Sequence, residues 1–291
     1  MRPGALRESA AKRVMQTGRV QHATNPVDGV RIAYRTVGDG EPLVLVHGTA
    51  LSHAIWRGFG YVAALRDRYR LILVDLRGHG RSDKPHDEDA YAMDLLSGDV
   101  LAVLDHLEVP SAHVLGYSLG GRVALALAVG APERLESLIV GGGSSLPQAG
   151  AFDRLFFPGC IDVLERDGMD AFLAQWNARR AWPIDAGTRA AFMANDAKAL
   201  AAYMRRSGVE PGVDDDVLRR IAVPTLLFVG SDDAERIGDT RRVAALIPGA
   251  SLTILPGFDH STAVAASTEV LAAVEPFLAS VRGATSTRPA G

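Results

Sequence analysis

SAHVLGYSLGGRVALALAV, residues 111–129, changes its hydrophobic period halfway along. AHVL is a short apolar run of the kind that forms a buried strand, whereas LGGRVALALAV, from Leu119 on, carries helical spacing. Between them Gly116-Tyr117-Ser118-Leu119-Gly120 matches G-x-S-x-G, which by itself is a weak pattern in a chain with 30 glycines. The strand-to-helix context gives it weight. A serine at such a turn sits in a strained elbow with its hydroxyl above the sheet. The alternative for Ser118 is a helix-capping serine in a glycine-rich turn.

Outward from this stretch the same alternation repeats. Val30–Thr36, Pro42–Val46 (PLVLV), Arg70–Val74 (RLILV), Leu135–Val140, Thr225–Val229 (TLLFV) and Ser251–Leu255 (SLTIL) read as strands. Helical patterns separate them at 56–65, 89–107, 241–247 and 268–281. Short buried strands alternating with helices predict an α/β fold, a mostly parallel, doubly wound sheet. The stretch 144–221 breaks the rhythm. It has no strand-like run but is rich in aromatics: Phe152, Phe156, Phe157, Phe172, Trp176, Trp182, Phe192 and Tyr203. It reads as a helical cap over the sheet, its aromatics packing between cap and core more than against a ligand. The expected organisation is therefore an N-terminal tail at 1–24, a core at 25–143 and 222–282, the cap at 144–221, and a C-terminal tail at 283–291.

The 291 residues are 47% hydrophobic and 22% charged, the balance of an ordinary globular domain, and the net charge of −3 argues against a nucleic-acid partner. No run approaches the roughly 20 apolar residues of a membrane span. The basic N-terminus lacks the apolar stretch of a secretory signal. The single cysteine, Cys160, excludes an internal disulfide and reads as a small buried residue. A cytoplasmic protein is expected, with neither cofactor nor metal.

Three further loops follow predicted strands. His47-Gly48-Thr49 leaves PLVLV, and acyl transfer needs N–H donors aimed at the oxygen that turns negative. The Leu119 amide, just after the serine, is placed to supply one and Thr49 the other, which leaves His47 a structural role. Asp75–Ser82 (DLRGHGRS) is better read as a loop bracing the sheet edge than as a second catalytic centre. Gly230-Ser231-Asp232-Asp233 and Gly257-Phe258-Asp259-His260 end the last two strands, at the sheet edge where sites in open α/β sheets gather. A serine hydroxyl needs a base, a histidine can serve, and a carboxylate fixes its tautomer. Neighbouring side chains on extended chain point apart, so Asp232 and Asp233 cannot both face His260.

Together HG, DLRGHGRS, GYSLGG, GSDD and GFDH, spread over Asn25 to Val281, resemble the α/β-hydrolase superfamily, in particular its capped esterases, lactonases and cofactor-free haloperoxidases. The resemblance implies Ser118 as nucleophile, His260 as base, Asp233 as acid, and the Thr49 and Leu119 amides as oxyanion hole. It implies a small-molecule carboxylic ester or lactone as substrate. A cofactor-free perhydrolase or haloperoxidase, or a low-turnover receptor on the same fold, are the alternatives. The aromatic cap and the lack of a cationic cluster beside the motifs predict a neutral, short-to-medium acyl ester. Two departures stand out. Asp259 occupies a position often small in such enzymes, where it either perturbs His260 or binds a substrate group. The AERIGD stretch after Asp233 lacks a proline frequent there.

Overall fold

The computed structural model describes residues 19–180 and 183–286. Eight strands form one sheet: β1 (Gln21–Thr24), β2 (Arg31–Val37), β3 (Glu41–Val46), β4 (Tyr69–Val74), β5 (Ala112–Tyr117), β6 (Leu135–Gly141), β7 (Thr225–Gly230) and β8 (Ser251–Leu255). Their spatial order is β1-β2-β4-β3-β5-β6-β7-β8. The β1–β2 and β2–β4 pairs are antiparallel and every later pair is parallel. All seven strands expected from the sequence are present. β1 lies inside the stretch assigned to the N-terminal tail, so that boundary is corrected; residues 1–18 lie outside the described residues. QHAT carries little signal because it is a four-residue edge strand with only Ala23 fully buried.

The central strands bury both faces, and their side chains sort by parity. Val44, Val46, Ile72, Val74 and Val114 face one layer, built from α3 (Met93–His106), α4 (Leu119–Gly130) and α10 (Ile237–Leu246). Leu43, Leu45, Leu71, Leu73 and Leu115 face the other, built from α1 (Ala54–Gly58), α2 (Tyr61–Leu65) and α11 (Ser267–Ser286). Each fully buried Leu or Val in these layers contributes roughly 1.5–3 kcal/mol relative to exposure. The predicted helix at 56–65 is split because Gly60 adopts a left-handed φ of 92°. α11 runs through Gly283 to Ser286, which corrects the start of the C-terminal tail; residues 287–291 lie outside the described residues.

Between β6 and β7 the described chain holds helices only: α5 (Ala151–Leu155), α6 (Cys160–Asn177, kinked at Gly168), α7 (Ala186–Met193), α8 (Ala197–Val209) and α9 (Asp215–Leu218). Phe156 is the hub of an aromatic cluster, its ring 4.9 Å from Trp176 and 5.1 Å from Phe172, with Phe192 stacked on Phe172. These rings bury one another, and Trp182 lies outside the described residues. Cys160 is buried, and burial pushes its thiol up to about 12.

Candidate active site

The elbow is built as its glycines require. Ser118 takes φ 55°, ψ −110°, a left-handed conformation costing a non-glycine residue on the order of 1–3 kcal/mol. Its surroundings hold it there: the Ser118 N–H donates to the Gly141 carbonyl (2.8 Å) and the Gly120 N–H to that of His47 (3.1 Å). A Cβ at Gly116 would sit 2.0 Å from the Gly120 oxygen, and one at Gly120 would sit 2.1 Å from the Val46 oxygen. The turn therefore closes only with glycine at both flanks. Ser118 makes no side-chain cap to α4. Its Oγ lies instead 3.0 Å from His260 Nε2.

His260 Nδ1 lies 2.7 Å from Asp233 Oδ2, whose side chain is 2% exposed. With Nδ1–H donated to a carboxylate, Nε2 presents a lone pair to the serine hydroxyl. The loops bearing these two residues are pressed together: the Asp232 N–H donates to the Phe258 carbonyl (3.0 Å), and a Cβ at Gly230 would meet that oxygen at 2.0 Å. Behind the imidazole, the Tyr117 ring centroid is 5.5 Å away, and the buried Tyr117 hydroxyl donates to the His260 carbonyl. Asp232 turns outward, where it accepts the Ser231 hydroxyl (2.8 Å). Asp259 is spent locally. Its carboxylate accepts the N–H and Oγ–H of both Ser261 and Thr262, and these bonds hold it below the usual carboxylate range despite partial burial. All four bonds fall on Oδ1, and through them Asp259 braces the turn that carries His260.

The His47-Gly48-Thr49 loop lies against the elbow, since a Cβ at Gly48 would be 3.2 Å from Ser118 Cβ. Among the described residues neither the Thr49 nor the Leu119 N–H has an acceptor, and Thr49 Oγ1 donates to Tyr203 of α8 (3.2 Å). Fully buried His47 donates from Nδ1 to the Gly48 carbonyl and accepts the Leu76 N–H at Nε2; burial lowers its pKa, so it stays neutral and ties two loops.

The DLRGHGRS loop is a closed network. Arg77, fully buried, pairs through Nε and Nη2 with Asp99 and through Nη1 with Asp28. His79 is pushed down to about 3 by burial, with His47 adding to the effect. Asp75 accepts the His53 N–H and Nδ1–H (2.7 Å each) and the Arg81 N–H (3.0 Å). Burial opposes its ionisation, but the His53 hydrogen bonds outweigh it and hold the carboxyl at about 2.

Cationic side chains do approach this region, contrary to the expectation from the motifs. Arg122 lies one helical turn after Ser118, and Arg236 follows Asp233 in its loop; the two are within electrostatic reach of each other. Residues 114 positions apart in the chain cannot be seen to converge without the fold, although Arg122 alone was legible from its i+4 spacing to Ser118. Open clefts lie away from these residues, against α11 and under the N-terminal ends of β3 and β5. Among the described residues, no cluster of three His, Cys, Asp or Glu is arranged for a metal, and no helix is long and apolar enough to cross a membrane.

The alpha/beta hydrolase fold family matches residues 41–180 of this chain. A putative carbamate hydrolase, RutD of Caulobacter sp. (strain K31), is 28% identical over 91% of this chain and 98% of its own. The 3-oxoadipate enol-lactonase 2 of Acinetobacter baylyi is 29% identical over 70% of this chain and 76% of its own. Among solved structures, the esterase RhEst1 from Rhodococcus sp. ECU1013 is 30% identical, with a TM-score of 0.72 over 90% of this chain and 99% of that one.

Proposed function

The chain belongs to the α/β-hydrolase superfamily, and from that premise we propose that it is a serine hydrolase cleaving a carboxylic ester or lactone through an acyl-enzyme on Ser118. The observation carrying this reading is the continuous contact Ser118 Oγ–His260 Nε2 (3.0 Å), His260 Nδ1–Asp233 Oδ2 (2.7 Å). In the first half-reaction Ser118 Oγ attacks the carbonyl carbon while His260 Nε2 takes the hydroxyl proton. Asp233 keeps the imidazole in the required tautomer and stabilises the imidazolium. The carbonyl oxygen, now negative, takes the Thr49 and Leu119 N–H groups; one such donor is typically worth about 3–4 kcal/mol of barrier. Collapse expels the alkoxide, which receives the proton from His260. Water then repeats the sequence on the acyl-enzyme and regenerates the Ser118 hydroxyl.

The names of the relatives span an esterase, an enol-lactonase and a putative carbamate hydrolase. They support acyl hydrolysis as the class and leave the leaving group to experiment. A panel of p-nitrophenyl esters, simple lactones and carbamates, run beside a serine-directed phosphonate, tests the proposal. Ester or lactone turnover abolished by stoichiometric labelling of Ser118 supports it. Turnover that survives complete labelling, or labelling of another serine, sinks it.

A further inference from the structure

A guanidinium withdrawn from water needs acceptors, and the protein treats two of its arginines very differently. Arg77 is saturated, with Asp99 on one edge and Asp28 and the Ala90 carbonyl on the other. Arg122 has no carboxylate partner among the described residues. Its Nη1 donates to the carbonyls of Ser144 (3.0 Å) and Leu146 (2.8 Å), while its Nε is buried with no acceptor. The acids nearest in electrostatic effect are committed elsewhere. Glu210 pairs with Arg206, and Asp239 accepts from Ser144, Ser145 and Arg242. Burial, with the charge of Arg236 adding to it, lowers the pKa of Arg122. Arg236 likewise has no carboxylate partner among the described residues; its Nη1 donates to Gln148 Oε1 (2.9 Å).

The position of this charge matters as much as its isolation. The Arg122 N–H donates to the Ser118 carbonyl (3.1 Å), which places Arg122 one turn along α4 on the same side as the serine. Both arginines act electrostatically on Tyr203, whose hydroxyl meets Thr49 Oγ1. The uncompensated positive charge therefore lies between the Thr49 loop, the Asp233 loop and the cap. A hinge tie, holding the Ser144–Leu146 segment where the chain leaves β6 for the helices beyond it, needs only the donors of Nη1. Nε is sealed in the interior without an acceptor, and Nη2 makes no hydrogen bond among the described residues, which leaves Nη2 as the donor a carboxylate can reach.

We propose that Arg122, assisted by Arg236, binds a carboxylate carried by the substrate, so that the ester or lactone opened at Ser118 is an anionic one. This rests on the acyl-hydrolase reading above and replaces the neutral substrate expected from the motifs. It makes Arg122 a specificity residue. A matched pair of substrates tests it: mono-p-nitrophenyl glutarate against p-nitrophenyl valerate, similar in length but different in charge. The wild-type protein is expected to favour the anionic ester in kcat/KM by tenfold or more, with the preference shrinking as salt rises. Arg122→Met should cut the anionic-to-neutral ratio at least tenfold, mainly through KM, and Arg122→Lys should restore part of it. Arg236→Gln, at a half-buried position, should lower the ratio severalfold and covers the case in which Arg122→Met does not fold. A wild-type preference for the neutral ester overturns the proposal. So does an equal loss on both substrates, the mark of a hinge tie.

Glutarate binding to Ser118→Ala, read by calorimetry, separates the two readings. Binding that disappears in the Ser118→Ala/Arg122→Met double variant supports the carboxylate site even if the wild type turns over neither ester. Ester turnover without discrimination, and without glutarate binding, overturns the carboxylate site alone.

Discussion

Among the described residues two histidines place Nδ1 2.7 Å from a buried aspartate, and one of these two meets a serine. His53 Nδ1 and His260 Nδ1 each lie 2.7 Å from a buried carboxylate, Asp75 and Asp233. The two aspartates follow β4 and β7, parallel strands of one sheet, at the same edge. What differs is the other face of each ring. His260 Nε2 has Ser118 Oγ at 3.0 Å, in an elbow strained to present it. His53 sits at the start of α1, and its aspartate is consumed in holding the His53 and Arg81 backbone amides. A paired imidazole is thus a common bracing device; the elbow serine gives one pair a candidate chemistry.

The largest effect that can break this contrast is at the serine. Ser118→Ala should remove nearly all ester hydrolysis, by about three orders of magnitude or more in kcat, with an unchanged melting profile. A variant keeping a tenth of the activity would disqualify Ser118 as nucleophile. Next comes Asp233→Asn, expected to lower kcat roughly a hundredfold or more, because the amide no longer stabilises the imidazolium or selects its tautomer. Steady-state kinetics on one p-nitrophenyl ester measures both.

The bracing pair should answer in stability rather than rate. An Asp75 carboxyl held at about 2, against an unperturbed 3.8, favours the folded state once ionised. The contribution is full above about pH 4 and is lost as pH falls from there through about 2. Its size is on the order of 2 kcal/mol for a fully buried group. Asp75→Asn should flatten that part of the acid-unfolding curve. It should also lower Tm at pH 7 by roughly 5–10 °C, since an amide cannot accept from both His53 and Arg81 on its two ends. A hundredfold fall in kcat with unchanged Tm would instead give the Asp75–His53 pair a part in the chemistry.

How legible each region was follows from the range of its interactions. PLVLV, RLILV and TLLFV announce themselves because a parallel strand buried on both faces reads as a nearly continuous apolar run. QHAT does not, because an edge strand draws its stability from one neighbour and needs little apolar surface. The cap aromatics could be read as packing from their spacing alone. Ser118, His260 and the Asp232–Asp233 pair stood out as candidates because each follows a strand and the fold gathers strand ends, whereas the choice of Asp233 came from the family resemblance. Asp259 was ambiguous because its partners, Ser261 and Thr262, are local, and no periodic pattern records a side chain folded back on its own turn. The pairing of Arg122 with Arg236 was invisible, since neither position alone says what charge it will lack.

The smallest effect is the one that tests the comparison at single-residue resolution. Asp232 is the immediate neighbour of Asp233, yet it is exposed and its carboxylate accepts the Ser231 hydroxyl. That hydroxyl oxygen in turn accepts the Gly257 N–H (2.8 Å), so the Asp232 carboxylate reaches the His260 loop through a chain of two hydrogen bonds, beside the direct bond from the Asp232 N–H to the Phe258 carbonyl. Asp232→Asn keeps an amide oxygen at the position that accepts from Ser231, and the chain can survive the loss of charge. The expected change in kcat is therefore less than about tenfold, with KM nearly unchanged. Measured beside Asp233→Asn on the same ester, the two substitutions should differ by an order of magnitude or more. The reverse ordering would move the orienting acid one residue back along the loop. Equal small effects would require the carboxylate that serves His260 to come from another part of the chain.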